Sequence, residues 1–78
     1  MLMETEDQTV NRCAVRKRLA VVSPSLPRWY LGKNWASWTQ SLDNAYIGNY
    51  GECVKACNRA GPFDDAELGV TIVGLVDL

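Results

Sequence analysis

Apolar and polar residues alternate along several short stretches of the chain, and one later stretch has helical spacing instead. Residues 13–22 alternate, which predicts a strand with arginines on one face and apolar side chains on the other. The apolar face consists of Cys13, Val15, Leu19 and Val21, with Lys17 as its exception. Pro24 and Pro27 end this strand. Residues 28–31 then predict a second short strand, antiparallel to the first.

The helix signal lies over residues 50–60. Asn49 is a good N-cap, and Glu52 stands three residues later, at capping-box spacing. One apolar stripe is predicted from the spacing of Tyr50, Cys53, Val54 and Cys57. Gly61 and Pro62 end the helix. Before it, residues 35–44 predict a loop or one helical turn, and residues 45–47 predict a short strand.

A long apolar run over residues 68–76 predicts the last strand. Its two predicted faces are Leu68, Val70, Ile72 and Val76 on one side, and Thr71, Val73 and Leu75 on the other. Gly69 and Gly74 permit bulges or close packing. The predicted fold is α+β: an antiparallel sheet of three to four strands in β-β-β-α-β order, with a single helix near residues 50–60 on one face. Function is then to be sought on the opposite, open face.

The domain organisation predicted from length is simple, because 78 residues accommodate one domain. Residues 1–10 are polar without a clear period, so we predict a flexible N-terminal segment followed by a single domain over residues 11–78. The alternative is a first helix over residues 6–20, which the capping-box spacing of Thr5 and Gln8 supports.

Composition argues against an enzyme. The chain contains no histidine, which excludes histidine-dependent triads, dyads and metal sites within one chain. Asp64, Asp65 and Glu67 cluster in a turn led by glycine and proline, where carboxylates are usually solvated. We therefore predict no catalytic residues.

Three cysteines are an odd number for a disulfide framework. Cys53 and Cys57 are four residues apart on the apolar stripe, and free cysteine behaves as a small buried hydrophobe. We therefore predict that these cysteines pack in the core. A thiolate metal site with Cys13 and an acidic fourth ligand, or a redox pair, are the alternatives. We expect no cofactor and no metal.

Charge is segregated along the chain, although the net charge is only −1. Residues 8–42 contain six basic residues and no acid, whereas acids dominate before and after them. The acidic N-terminus lacks the apolar stretch of a signal peptide, and no run of 18 apolar residues exists. We therefore expect a cytoplasmic protein, in a bacterial host if a phage encodes it, and no membrane partner.

Aromatic and basic residues concentrate in ten positions of the chain. The predicted partner-binding residues are Arg28, Trp29, Tyr30, Lys33, Trp35 and Trp38. Tryptophan, tyrosine and arginine are enriched at the energetic centres of protein interfaces. The structural alternative is that the tryptophans close a small core.

A second candidate surface is the basic cluster on the first predicted strand, made of Arg12, Arg16 and Arg18. These residues could contact nucleic acid or an acidic partner, and with the aromatic loop they supply the groups that bind single strands. The structural alternative is a solvated strand face that also blocks edge aggregation.

In size, α+β pattern and lack of catalytic groups, the chain resembles the small orphan proteins of phages and mobile elements, including anti-CRISPR proteins and other inhibitors of host machinery. The resemblance includes no motif, so it assigns no functional residue. It implies a non-catalytic module that docks on a larger protein or ribonucleoprotein complex and acts by occlusion. A nucleic-acid-binding protein is the alternative, and an unpaired sheet edge or face would also allow a homodimer.

Overall fold

The fold is a five-stranded antiparallel sheet with one α-helix, seen in a computed structural model that describes residues 2–21 and 23–77. The strands are β1 (Leu2–Thr5), β2 (Cys13–Leu19), β3 (Tyr30–Leu31), β4 (Trp38–Thr39) and β5 (Glu67–Asp77). They lie in the order β1-β5-β2-β3-β4, and the helix α1 (Tyr50–Arg59) packs against β2 and β5. The predicted α+β class is confirmed, with one strand more than the maximum expected.

Three predicted assignments extend past these residues. Met1 in the N-terminal segment, Val22 at the end of the first strand and Leu78 at the end of the domain lie outside the described residues. Within the described ranges, no helix is long and apolar enough to cross a lipid bilayer.

The first strand was missed by sequence reasoning. β1 lies within the segment predicted to be flexible and pairs with the end of β5, with Glu4 opposite Leu75 and Thr5 opposite Gly74. The alternative helix over residues 6–20 is wrong, because β2 occupies its second half. The ladder between β2 and β5 satisfies the backbone N–H and C=O groups over seven residue pairs. These hydrogen bonds outweigh the local capping signal of Thr5 and Gln8.

The middle of the chain departs from the prediction in two places. Residues 35–44 contain β4 and a short 3₁₀ turn over Leu42–Asn44. The predicted strand over residues 45–47 is wrong: Ala45 bridges Gly32, and Gly48 bridges Cys13. Residues 45–48 run from the end of β3 to the start of β2, so they form no continuous hydrogen-bonded ladder with either strand.

The helix begins where its cap predicted. The Asn49 side chain accepts a hydrogen bond from the backbone N–H of Glu52 at 2.9 Å. The Glu52 carboxylate accepts a hydrogen bond from the Tyr46 hydroxyl at 2.5 Å, which ties the helix start to the preceding loop.

The buried face of the helix differs from the predicted stripe. Cys53 and Ala56 are fully buried and Cys57 is half-buried, whereas Tyr50 and Val54 are exposed. Small side chains let the helix approach the sheet closely, which brings Ala56 into the core and turns the larger Tyr50 outward.

Two glycines shape β5. Gly69 has a φ of 105°, and the register between β2 and β5 shifts beside it, between Arg18 and Leu19. This is the bulge that glycine was expected to permit. At Gly74 a Cβ would lie 2.1 Å from the carbonyl oxygen of Asp7, because the connection from β1 to β2 crosses the strand there.

Apolar residues are buried on both faces of the sheet. The helix side buries Cys13, Val15, Leu31, Cys53 and Ala56. The opposite side buries Ala14, Tyr30, Ala45, Val73 and Leu75, with Leu2, Leu42 and Ile47 packed against them. The expectation that the second face is open therefore needs correction, because the segment around residues 42–47 covers one end of it.

Candidate functional site: an arginine-lined cleft

The uncovered end of the second sheet face carries a cleft of about 500 Å³. Its floor is the C-terminal half of β2 and the facing part of β5, and its far wall is the proline-containing connection from β2 to β3. The lining residues are Arg16, Lys17, Arg18, Leu19, Val21, Ser23, Pro24, Leu26, Pro27, Arg28, Leu68 and Thr71. The described lining thus combines arginines, hydroxyl groups and aliphatic side chains.

Strand alternation explains the arginines. Ala14 is buried on the face away from the helix, so Arg16 and Arg18 at two-residue intervals share that face. Their partners on β5 are Thr71 and Gly69, which are too small to cover them. The chain then returns antiparallel through the proline loop and adds Arg28 to the same cleft. The structure therefore brings together three predicted residues that came from two separate clusters.

Glu4 is the anionic group at the edge of this cleft. Its carboxylate accepts hydrogen bonds from Arg16 Nη1 at 2.5 Å, from Arg28 Nη1 at 2.6 Å and from the Tyr30 hydroxyl. The Glu4 side chain is only 13% exposed, while that of Arg28 is 62% exposed. One carboxylate thus holds β1 against β2, β3 and the proline loop.

Tyr30 has a structural position in this arrangement. It is 5% exposed, so it belongs to the core and offers no surface to a partner. Burial, with the hydrogen bond to Glu4 as a further cause, raises the pKa of Tyr30 to about 12. We conclude that Tyr30 fixes the Glu4 carboxylate, and that it is not one of the docking anchors expected of the aromatic loop.

Exposed aliphatic side chains border the arginines. Val21, Leu26 and Leu68 are all exposed although they are large and apolar. Leu68 lines the cleft instead of the helix side because the bulge at Gly69 reverses its predicted face. Cations beside exposed apolar groups form a surface of mixed character at the mouth of the cleft.

The other aromatic residues do not join the cleft. Trp38 packs against the helix-side core, where Lys17 Nζ lies 4.6 Å from its ring centroid. Lys17 also forms an ion pair with Glu67 at 2.8 Å. This explains the one cation on the apolar face of β2. The ion pair and the ring compensate for its partial burial.

Trp35 also packs against the helix-side core. Its ring meets Tyr46 edge to face, with centroids 5.2 Å apart, and the Arg59 guanidinium lies 5.8 Å from the ring centroid. Trp29 is half-buried, and its carbonyl accepts a hydrogen bond from the backbone of Lys17. Trp35 and Trp38 therefore pack on the helix side, and none of the three tryptophans is among the described residues that line the cleft.

Two further predicted residues lie away from the cleft. Lys33 is exposed and lines a second cavity of about 500 Å³, together with Leu2, Leu42, Asp43, Ala45, Tyr46 and Ile47. Arg12 forms an ion pair with Asp77 at the far end of the sheet. Neither residue lines the cleft that contains Arg16, Arg18 and Arg28.

The cysteines occupy the helix-side core as free thiols. Cys13 and Cys53 are buried and Cys57 is half-buried. Burial raises the pKa of the Cys53 thiol to about 11 and also raises those of Cys13 and Cys57. Within residues 2–21 and 23–77, no group of three or more His, Cys, Asp or Glu side chains is placed to hold a metal ion.

Sequence reasoning missed the contributions of Glu4, Val21, Leu26 and Leu68 to this site. Glu4 was counted only as an acid of the N-terminal segment, since nothing local indicates a partner twelve or more residues away. β1 has only four residues, which are too few to establish a strand period.

No family model matches the chain, and no curated protein or solved structure is significantly similar to it.

Proposed function

We propose that this protein is a non-catalytic binding module that docks on a larger protein or ribonucleoprotein complex through the arginine-lined cleft. The partner surface is acidic and flanked by apolar side chains, and docking acts by occlusion, as in small inhibitors carried by phages and mobile elements. The observation that supports this proposal is the convergence of Arg16, Arg18 and Arg28 with exposed aliphatic residues in one cleft.

Arginine suits this task because its planar guanidinium donates two parallel hydrogen bonds to a carboxylate. Arg18 is exposed and has no ion pair among the described residues, so its donors are available to a partner. A standard interface covers roughly 800 Å² per partner. That is about a sixth of the 5162 Å² surface of this protein, so one docked face takes a large share of it.

Nucleic acid is the alternative ligand, and the cleft suits it less well. Single-strand binding relies on exposed aromatic rings that stack on bases. Here the exposed neighbours of the arginines are aliphatic, while Trp35 and Trp38 pack against the core on the other face. Glu4 also offsets part of the positive charge.

Charge reversal at Arg18 tests the proposal. Immobilised wild-type protein, Arg18→Glu and the matched control Lys55→Glu are incubated with nuclease-treated bacterial lysate, and retained proteins are identified. Lys55 is exposed on α1, and the control changes the net charge equally. We expect the same partner to be retained by the wild type and by Lys55→Glu, and at least tenfold less of it by Arg18→Glu.

Equal retention by all three proteins would overturn the docking site. The nucleic-acid alternative has its own measurement, which is affinity for short single strands as a function of salt. A steep decrease with salt that depends on Arg18, together with a protein that is captured from untreated lysate and not from nuclease-treated lysate, would favour that alternative.

A further inference from the structure

We infer that Arg16 and Tyr30 hold the Glu4 carboxylate beside Arg28, so that Glu4 competes with the partner's carboxylate for the Arg28 guanidinium and weakens docking. The inference depends on the proposed function, because it concerns the same cleft and adds the chemistry of the partner group and an internal control on its binding.

Hydrogen-bond donors from three parts of the chain converge on Glu4. Arg16 lies on β2, Arg28 in the proline loop and Tyr30 on β3, yet all three donate to one carboxylate. Glu4 Oε2 accepts from both guanidinium groups, and Oε1 accepts from the hydroxyl. Three donors from separate elements aimed at two oxygens are the features of a built anion site. The occupant identifies the ligand class as a carboxylate.

The cleft contains more cations than Glu4 can neutralise. Three arginines line the cleft, and Glu4 is the one carboxylate that pairs with any of them among the described residues. The site therefore keeps a positive surplus after Glu4 is bound. A second carboxylate, supplied by a partner, is attracted to this surplus and meets Arg18 first, since Arg18 has no ion pair of its own in the described chain.

The two arginines that pair with Glu4 differ in their exposure to solvent. The Arg16 side chain is 30% exposed, whereas that of Arg28 is 62% exposed. Exposed ion pairs are weak and exchange readily with solvent or with another ion. Arg28 can thus leave Glu4 for a partner's carboxylate, while Arg16 and Tyr30 keep holding Glu4. The cost of releasing Arg28 from Glu4 is the proposed restraint on docking.

A fluorescent hexaglutamate peptide serves as the probe, with anisotropy measured at low salt on the full chain. Glu4→Gln removes the competing charge, and Glu6→Gln is the matched control. Glu6 is exposed, lies in the same segment and forms no hydrogen bond or ion pair among the described residues. We expect Glu4→Gln to bind about threefold more tightly than the wild type, and Glu6→Gln to match the wild type.

The outcomes separate the two proposals. If the wild type binds the peptide and Arg18→Glu does not, but Glu4→Gln binds no more tightly than the wild type, the competition by Glu4 is overturned and the docking cleft stands. An equal gain in peptide affinity in Glu6→Gln also overturns the competition by Glu4, because the change in net charge alone then explains the gain. If wild-type protein does not bind hexaglutamate, or if Arg18→Glu binds it equally well, the docking cleft itself is overturned.

A second measurement avoids any effect of the substitution on folding. Side-chain NMR of the wild-type arginines, recorded during titration with hexaglutamate, reports which guanidinium changes its partner. We expect the Arg28 signals to shift strongly and the Arg16 signals to shift little. Unchanged Arg28 signals at saturating peptide would overturn the competition.

Discussion

The two ends of one sheet face differ sharply although the same two strands build both. At one end, Ala14 of β2 and Val73 and Leu75 of β5 are buried beneath the segment around residues 42–47. At the other end, Arg16 and Arg18 face Thr71 and Gly69 in an uncovered cleft. The first end buries apolar side chains, whereas the second leaves charged side chains uncovered.

This difference separates the residues that support the fold from those that the proposed docking would use. A chain of this length buries only part of its surface, so residues outside the core remain accessible to a partner. β2 changes from small apolar residues to arginines within its seven residues, and the boundary lies at the Glu4–Tyr30 hydrogen bond.

The largest effect is expected from a matched pair of leucines on β5. Leu75 is 2% exposed at the sealed end, and Leu68 is 57% exposed at the cleft. Leu75→Ala should lower the free energy of unfolding by about 2–5 kcal/mol because it leaves a cavity. Leu68→Ala should change it by about 0.5 kcal/mol or less. Denaturant unfolding measures both, and equal losses would remove the distinction between the two ends.

An intermediate effect is expected at the boundary. Tyr30→Phe removes the hydroxyl that donates to the Glu4 carboxylate and should cost about 1–2 kcal/mol. Tyr50→Phe, on the exposed side of α1, is the control and should have no measurable effect. If Tyr30→Phe leaves the free energy of unfolding unchanged, the arginines alone are enough to hold the Glu4 carboxylate.

Tyr30→Phe should also alter the response to alkaline pH. The pKa of Tyr30 is raised from 10.0 to about 12 by burial and by Glu4. The stabilising contribution of its protonated form is therefore complete below about pH 10 and is lost as pH rises towards 12. Unfolding curves recorded across this range should be less pH-dependent in the variant. An unchanged slope would contradict the buried position of Tyr30.

The smallest effect is expected at the ion pair beneath the cleft. The hydrogen bond from Lys17 lowers the pKa of Glu67 from its ordinary value of 4.5. Its contribution to stability is present above that ordinary value and is lost as pH falls through the lowered pKa. Glu67→Gln should reduce the difference in unfolding free energy between neutral and acidic pH. Asp65→Asn removes an exposed carboxylate that forms no ion pair among the described residues, and it is the matched control.

The elements with strong local signals were predicted from the sequence. β2, β5 and α1 follow from a two-residue period, a long apolar run and a capping box, all of which act over a few positions. β1 was missed because its partner lies about 70 residues away in the chain, and four residues show no period. The strand predicted over residues 45–47 was wrong because its two possible partners each offered a single bridge.

The sequence predicted only part of the candidate site. Arg16, Arg18 and Arg28 were identified as candidates, but in two separate clusters. The aromatic residues near Arg28 were grouped with it because they are close in the chain. Strand alternation and the β3–β4 hairpin instead place Trp38 with Lys17 on the helix side. Proximity in sequence was therefore a poor guide to which side chains share a surface.

By itself the sequence determined the α+β class, the positions of β2, α1 and β5 and the N-cap at Asn49, because caps and periods operate between near neighbours. It also marked Gly69 and Gly74 as places for a bulge or close packing, without deciding which. Only the tertiary structure decided which end of the sheet face is covered, that Glu4 joins Arg16 to Arg28, and that Leu68 borders the cleft. Those outcomes depend on register and on contacts between distant residues, and a local pattern carries no information about either.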